Sequence, residues 1–165
     1  MNPSNKRSAA PPSMTLRTWQ RHGGTALGRW FFSRMVCLKA PYFASIRPTF
    51  DRLEPGRAEA RFKKRRRVTN HIGTVHAIAM ANLCELVAGT GTDVSVPAGM
   101  RWIPRGMTIE YLAKATSHVR ATATLPPIEQ GEARDVIVNV DVFDQSGTRV
   151  VHADITMYVS PRPGR

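Results

Sequence analysis

The sequence is poor in cysteine and has no long apolar run. Its two cysteines, Cys37 and Cys84, each stand among apolar residues, a pattern that excludes a disulfide scaffold or a zinc site and favours a reducing compartment. No stretch reaches the roughly 18 to 20 uninterrupted apolar residues of a membrane-spanning helix, and the N-terminus lacks the apolar core of a signal peptide. We therefore expect one soluble, cytoplasmic domain of 165 residues.

Acidic residues are also scarce. Asp and Glu total 12 against 24 Lys and Arg, which gives a formal net charge of +12. The excess lies in the first part of the chain, because residues 1–67 hold 16 basic and 3 acidic side chains whereas residues 68–165 hold 8 and 9. Such asymmetry fits nucleic acid, an anionic membrane surface or a phosphorylated small molecule. Charge alone does not choose among these partners.

The N-terminal region divides into a tail and a helical extension. Residues 1–13 are rich in Pro and Ser and predict a disordered tail. From Met14 to Leu38 apolar residues recur at helical spacing with a break near Gly23–Gly24, which predicts one or two amphipathic helices in an extension at 14–44. The extension would pack on the domain or over a substrate opening. Alternatively, its basic and aromatic residues would make a weak membrane-surface contact.

A buried helix of about three turns is predicted from Ala77 to Ala88, with Gly89 as its end. Apart from Asn82, Glu85 is its only polar side chain, and it lies nearly opposite the main apolar face. An isolated helical Glu commonly faces water. The lack of other charges on this helix indicates instead that it is covered on most sides, which would make Glu85 a functional carboxylate.

Period-two alternation predicts one strand before this helix and four after it. The predicted strands are 58–63, 107–115, 117–125, 133–144 and 148–160, with Val94–Val96 as a candidate brief strand in a loop at 89–106 and Asp144–Gly147 as a hairpin turn. One helix cannot cover five strands unless the sheet curls around it. Residues 45–160 are therefore predicted to be an α+β domain, a curved antiparallel sheet in meander order around one central α-helix, and residues 161–165 a tail.

Five consecutive cations, Lys63–Arg67, precede the helix. In a strand they would point to both faces, so one face there could not be ordinary core. They are a solvated strand end, a site for the phosphates of coenzyme A, or a nucleic-acid contact. The last is unlike a typical nucleic-acid interface, because the run has no interleaved aromatic residues and no recognition helix.

The pattern Asn70-x-x-Gly73-x-x-His76, followed nine residues later by Glu85, resembles hotdog-fold thioesterases of the phenylacetic-acid-degradation type and a related uncharacterised bacterial hotdog family with an N-terminal helical extension. The resemblance covers residues 45–160. One departure is that Ala77-Ile78 replaces the two glycines that follow the His in many members. The resemblance implies a dimer, or a dimer of dimers, with a sheet continuous across two subunits.

The resemblance also implies an activity, that of an acyl-CoA thioesterase. Its catalytic groups would be the Glu85 carboxylate, Asn70 and the backbone amide of Ala77, with Glu85 acting across the dimer interface. Substrate-binding residues would be Gly73, His76, Thr108, Arg65 and Arg67. The substrate would be an acyl-CoA or acyl-carrier-protein thioester, with no metal and no cofactor apart from coenzyme A as part of the substrate.

Plainer roles remain open for several of these residues. Asn70 could serve as a turn residue and His76 as a hydrogen-bonded structural side chain at a helix start. The alternative function is a non-catalytic acyl-thioester-binding or lipid-binding hotdog protein, which the missing glycines favour.

Overall fold

A computed structural model of the chain describes residues 12–163. Three helices and six strands follow one another in it: α1 (Met14–His22), α2 (Ala26–Lys39), β1 (Thr49–Glu54), β2 (Arg57–Phe62), α3 (Ala77–Ser95), β3 (Met100–Tyr111), β4 (Val119–Thr124), β5 (Arg134–Asp144) and β6 (Arg149–Pro161). Two short 3₁₀ helices, Pro41–Ser45 and Arg66–Val68, flank the first two strands. The predicted tail at 1–13 lies outside the described residues except for Pro12 and Ser13, as do the last two residues of the predicted tail at 161–165.

The strands form one antiparallel sheet in the order β1-β2-β4-β5-β6-β3. Helix α3 packs on one face of this sheet because its apolar side chains recur with the helical period. Leu83, Leu86 and Val87 of α3 are fully buried against alternate residues of the strands, such as Val138 and Val140 of β5. The α+β class and the central helix are thus confirmed.

Helices α1 and α2 confirm the predicted N-terminal extension and its break. The Ser13 hydroxyl accepts a hydrogen bond from the Leu16 N–H, and the Thr25 hydroxyl accepts one from the Gly28 N–H, so each helix begins at a capping residue. The extension is joined to the sheet through aromatic rings. Phe32 of α2 is 1% exposed and lies 5.4 Å, between ring centroids, from Phe50 of β1. No helix within residues 12–163 is long and apolar enough to cross a membrane.

The predicted end of the central helix at Gly89 is wrong, because α3 continues for six more residues to Ser95. Gly89 and Gly91 both lie inside the helix. A Cβ atom at Gly89 would come within 3.0 Å of the Trp102 ring, and one at Gly91 within 3.2 Å of the Ala58 Cβ. These glycines allow close packing between helix and sheet instead of ending the helix. The brief strand predicted at Val94–Val96 is consequently wrong as well.

The predicted strand count and meander order need correction too. Strand β1 was not predicted, because a register shift between Phe50 and Arg52 breaks the alternation and brings Phe50 and Leu53 to the buried side. Strand β3 begins at Met100, seven residues earlier than predicted, and pairs with β6 at the edge of the sheet. The four strands after α3 are therefore not a meander. The predicted hairpin turn is confirmed, with Gly147 at φ 84° and the Gly147 N–H bonded to the Asp144 carbonyl.

Candidate active site

The loop before α3 is built around Asn70. Its Oδ1 accepts hydrogen bonds from the backbone N–H groups of Ile72 (3.2 Å) and Thr74 (3.0 Å), and its Nδ2 donates to the Thr74 hydroxyl at 2.8 Å. Gly73 adopts φ 77°, a conformation that favours glycine. The Asn70 side chain is thus engaged within the loop. Gly73 supplies its turn, and together they determine how the chain enters the helix.

Helix α3 starts at Ala77, with His76 as its cap. The His76 Nδ1 accepts a hydrogen bond from the Ile78 N–H at 3.1 Å, and the His76 carbonyl accepts from the Ala79 and Met80 N–H groups. The Ala77 N–H has no acceptor among residues 12–163. It is therefore a free donor at the positive end of a helix of 19 residues, which favours a developing negative charge.

A cavity of about 340 Å³ adjoins this helix start, lined by Asn70, Ala77, Tyr111 and residues near them. The Tyr111 hydroxyl donates to the Ala77 carbonyl at 3.3 Å. Partial burial, and secondarily Cys84, raise the pKa of Tyr111, so its hydroxyl stays protonated at neutral pH. Tyr111 was not among the predicted site residues. It lies at the end of β3, 34 positions after Ala77, and only the fold brings it to the helix start.

Glu85 lies in a different cavity, of about 350 Å³. The carboxylate is half-buried and forms no hydrogen bond or ion pair within residues 12–163. The walls are largely apolar and come from α2, the first 3₁₀ helix, α3 and the sheet: Val36, Ala40, Phe43, Leu86, Trp102, Pro104 and Met157. Polar groups at the same cavity include Lys39 and Asp93, and the Trp102 Nε1 donates to the Asp93 Oδ1 at 3.4 Å. The N-terminal extension thus completes the cavity beside Glu85.

One chain does not bring Glu85 and the Ala77 N–H to the same point. The two residues are eight positions apart on one helix, about 12 Å along its axis, and they line separate cavities. Gly73 and His76 lie with Ala77 at the helix start. A site that uses both Glu85 and Ala77 on one carbonyl needs a second copy of the chain.

Cysteine chemistry is excluded next to Glu85. Cys84 is fully buried, and burial raises the pKa of its thiol to about 12, with a smaller contribution from the charge of Asp141. The thiol is therefore protonated and unreactive at neutral pH. Among residues 12–163 no group of three or more His, Cys, Asp or Glu side chains is placed to hold a metal ion.

The basic run Lys63–Arg67 lies entirely after β2, which ends at Phe62. None of its five residues belongs to a strand, so the strand-end alternative is wrong. The Arg65 Nη2 donates to the Ser45 carbonyl at 2.7 Å, and Arg67 lines a third cavity beside the first 3₁₀ helix. Desolvation, and then the neighbouring Arg47 and Arg67, lower the pKa of Arg65. These three guanidinium groups form no ion pair with a carboxylate of residues 12–163.

Thr108 is not brought to the site. It lies opposite Asp154 in the register of β3 and β6. Asp154 alternates with the buried Ala153 and Ile155, so Thr108 shares with it the face of the sheet that points away from α3.

Comparisons with known proteins agree with this architecture. Residues 28–159 match a family described as a domain of unknown function (DUF4442). The chain is 49% identical to the structural-genomics protein APC5556, whose crystal structure superposes with a TM-score of 0.78 over 90% of this chain and 99% of that one. No curated protein matches the sequence.

Two structures with lower identity share the fold. PA5026 from Pseudomonas aeruginosa, a protein of unknown function described as a probable thioesterase, is 21% identical, with a TM-score of 0.72 over 79% of this chain and 93% of that one. The thioesterase HI1161 from Haemophilus influenzae is 16% identical, with a TM-score of 0.64 over 73% and 82%. The match to these structures confirms, at the level of the fold, the hotdog architecture that the motif implied.

Proposed function

The chain belongs to the DUF4442 family, and we propose that it is a thioester hydrolase acting on acyl-CoA or an acyl carrier protein. The observation that carries the proposal is the Glu85 carboxylate, half-buried beside a largely apolar cavity and without a partner in residues 12–163. A carboxylate in such a setting is suited to activate a water molecule or to attack a carbonyl itself. The names of the structural neighbours add support at the level of the fold.

The Ala77 N–H supplies the second requirement of thioester hydrolysis. Attack on the carbonyl carbon places negative charge on its oxygen, and a free N–H at a helix start stabilises that charge. The Asn70 loop holds the N–H in position. Ile78, which stands where many of the resembling thioesterases have a glycine, directly follows Ala77 and is 56% exposed.

The two groups would meet across a dimer interface. Strand β3 is an edge strand that pairs with β6 on one side only. It carries exposed apolar side chains, among them Ile103 at 60% exposure and Met107 at 38%. The free edge of such a strand can hydrogen-bond to another strand. Two copies joined at β3 would form one continuous sheet, and Glu85 of one subunit would then face Ala77 of the other.

The remaining groups would bind the ends of the substrate. The apolar cavity beside Glu85 would hold the acyl chain between the sheet and the N-terminal extension. Arg65 and Arg67, which lack carboxylate partners within residues 12–163, would pair with phosphate oxygens.

Hydrolysis of short, medium, long and aromatic acyl-CoA thioesters tests the proposal. We expect Glu85→Gln, which keeps the side-chain shape, to lower kcat about 100-fold or more on the substrates that the wild type cleaves. Glu129→Gln is the matched control, because Glu129 is an exposed residue far from both cavities in sequence and not among their lining residues. Full activity in Glu85→Gln would reject the site.

A non-catalytic acyl-thioester-binding protein is the second candidate, favoured by the Ala77-Ile78 pair. In that case no thioester of the panel is hydrolysed, yet a non-hydrolysable acyl-CoA ether still binds. Calorimetry with that ether separates the two functions.

A further inference from the structure

Asn82 on α3 has a polar atom that no residue satisfies. The residue is only 6% exposed, and its Nδ2 donates to the Ser45 hydroxyl at 3.0 Å, whereas its Oδ1 has no partner among residues 12–163. Turning the amide round exchanges the two atoms and leaves the nitrogen unpaired instead. An unpaired buried amide is costly, so a ligand that brings a hydrogen-bonding group of its own would relieve the cost.

Asn82 lines a cavity of about 290 Å³ between the first 3₁₀ helix and the start of α3. The walls include Tyr42, Ser45, Arg67 and His76. This cavity is separate from those of Ala77 and Glu85, but the 3₁₀ helix borders it through Tyr42 and borders the Glu85 cavity through Phe43. The two cavities are therefore bordered by adjacent residues of the same 3₁₀ helix.

Three guanidinium groups that form no ion pair within residues 12–163 lie at or near the same cavity. Arg67 lines it, the Arg65 guanidinium bonds to the backbone of Ser45, and Arg47 directly follows the wall residue Ile46. Desolvation lowers the pKa of Arg65, and the positive charges of Arg47 and Arg67 lower it further, because both side chains lie near it. A cluster of this kind matches phosphate oxygens.

An amide and a phosphate occur together in the phosphopantetheine arm that coenzyme A and acyl carrier proteins share. We propose that this arm binds in the Asn82 cavity, with the phosphate at Arg47, Arg65 and Arg67 and the amide nearest the sulfur at Asn82. A secondary amide carries both a donor and an acceptor, so it satisfies Asn82 in either orientation. The inference rests on the proposed function, because it takes the substrate to be a thioester of this arm.

The spacing along α3 agrees with the chemistry of the arm. Asn82 and Glu85 are three residues apart, about 5 to 6 Å between Cβ atoms. In the arm, the amide nitrogen and the sulfur are separated by only two methylene groups. An amide held at Asn82 would therefore place the thioester beside Glu85 of the same chain.

Direct binding of coenzyme A, 4′-phosphopantetheine and pantetheine, measured by calorimetry on the full chain, tests the inference. Asn82→Leu replaces the amide by an apolar group of similar size and should weaken binding of all three compounds about 5- to 10-fold. Asn139→Leu is its control, since Asn139 is exposed on β5 and bonds to Asp154 outside the cavity.

The double variant Arg47→Ala/Arg67→Ala should weaken binding of the two phosphorylated compounds 10-fold or more and leave pantetheine unchanged. Arg120→Ala, at an exposed position of β4, is the control. Both arginines are exposed, so their replacement should not affect folding. The double variant therefore tests the arm site even if Asn82→Leu does not fold. Coenzyme A that binds no better than phosphopantetheine supports a carrier-protein arm, and tighter binding supports coenzyme A itself.

Wild-type affinity for all three compounds in both variants overturns the inference. If hydrolysis that depends on Glu85 persists unchanged in them, the arm site fails and the proposed function stands. If the arm binds through these residues but no thioester is hydrolysed, the arm site stands and the hydrolase fails.

Discussion

At the scale of the residue, the position of Ala77 allows the role of one N–H to be tested without disturbing the helix. Ala77 is the first residue of α3, where proline is well tolerated, and the preceding His76 has φ −68° and ψ 137°, which suits a residue before proline. Ala77→Pro should therefore keep the fold and remove only the free donor.

We expect Ala77→Pro to lower kcat by about 10²- to 10³-fold, the usual effect of losing one oxyanion donor. Circular dichroism and steady-state kinetics on the best substrate of the panel provide the measurement. Ala77→Gly retains the N–H and should stay active. An active proline variant would show that another group polarises the carbonyl.

A second prediction at this scale concerns Asn70, whose side chain stabilises the loop through three hydrogen bonds. Asn70→Ala should lower the free energy of unfolding by about 1 to 3 kcal/mol. Asn70→Asp keeps an oxygen for the Ile72 and Thr74 N–H groups and should cost less. Urea denaturation measures both. Unchanged stability in Asn70→Ala would contradict a stabilising role for these hydrogen bonds.

At the scale of the element, the N-terminal extension is joined to the sheet through aromatic rings, among them the buried Phe32. Phe32→Ala should destabilise the protein by about 3 to 5 kcal/mol, since the ring packs against Trp19 and Phe50 and the space cannot close. Phe31→Ala, at the neighbouring position with 44% exposure, is the control and should cost far less. Thermal and urea unfolding compare the two, and equal losses would argue against an extension packed through Phe32.

Local patterns predicted some elements well and others poorly. The helix break at Gly23–Gly24 and the turn at Asp144–Gly147 depend on residues close in sequence, so composition revealed them. By local sequence alone, Gly89 resembles a glycine that ends a helix. In the structure it lies inside α3 and leaves room for the ring of Trp102, a residue 13 positions further along the chain. Only packing distinguishes these two uses of glycine.

At the scale of the whole molecule, the proposed dimer leads to a prediction about sites shared between subunits. After subunit exchange, a mixture of Glu85→Gln and Ala77→Pro chains, each inactive alone, should regain roughly a quarter of wild-type activity. Half of the dimers are then mixed, and each mixed dimer has one intact site of two. Kinetics of the mixture against each parent provides the measurement, and no recovery would contradict a site shared between subunits.

The edge strand supplies the matching test of assembly. Ile103→Glu/Met107→Glu replaces exposed apolar side chains of β3 by charged ones, and it should convert the proposed dimer to monomers and abolish the proposed hydrolysis. Light scattering measures the mass. Ile137→Glu, at a position 45% exposed on the interior strand β5, is the control. A dimer that survives the β3 changes would require another interface.

The sequence by itself determined the α+β class, the N-terminal helical extension with its break, the loop from Asn70 to His76 and the polar exception at Glu85, because each of these follows from periodicity or from neighbouring residues. Tertiary structure decided the rest. It set β3 beside β6 at the sheet edge, extended α3 past Gly89, placed Glu85 and Ala77 in separate cavities and left Asn82 with an unpaired oxygen. These features depend on contacts between residues distant in the chain, and no local pattern encodes which distant partners meet.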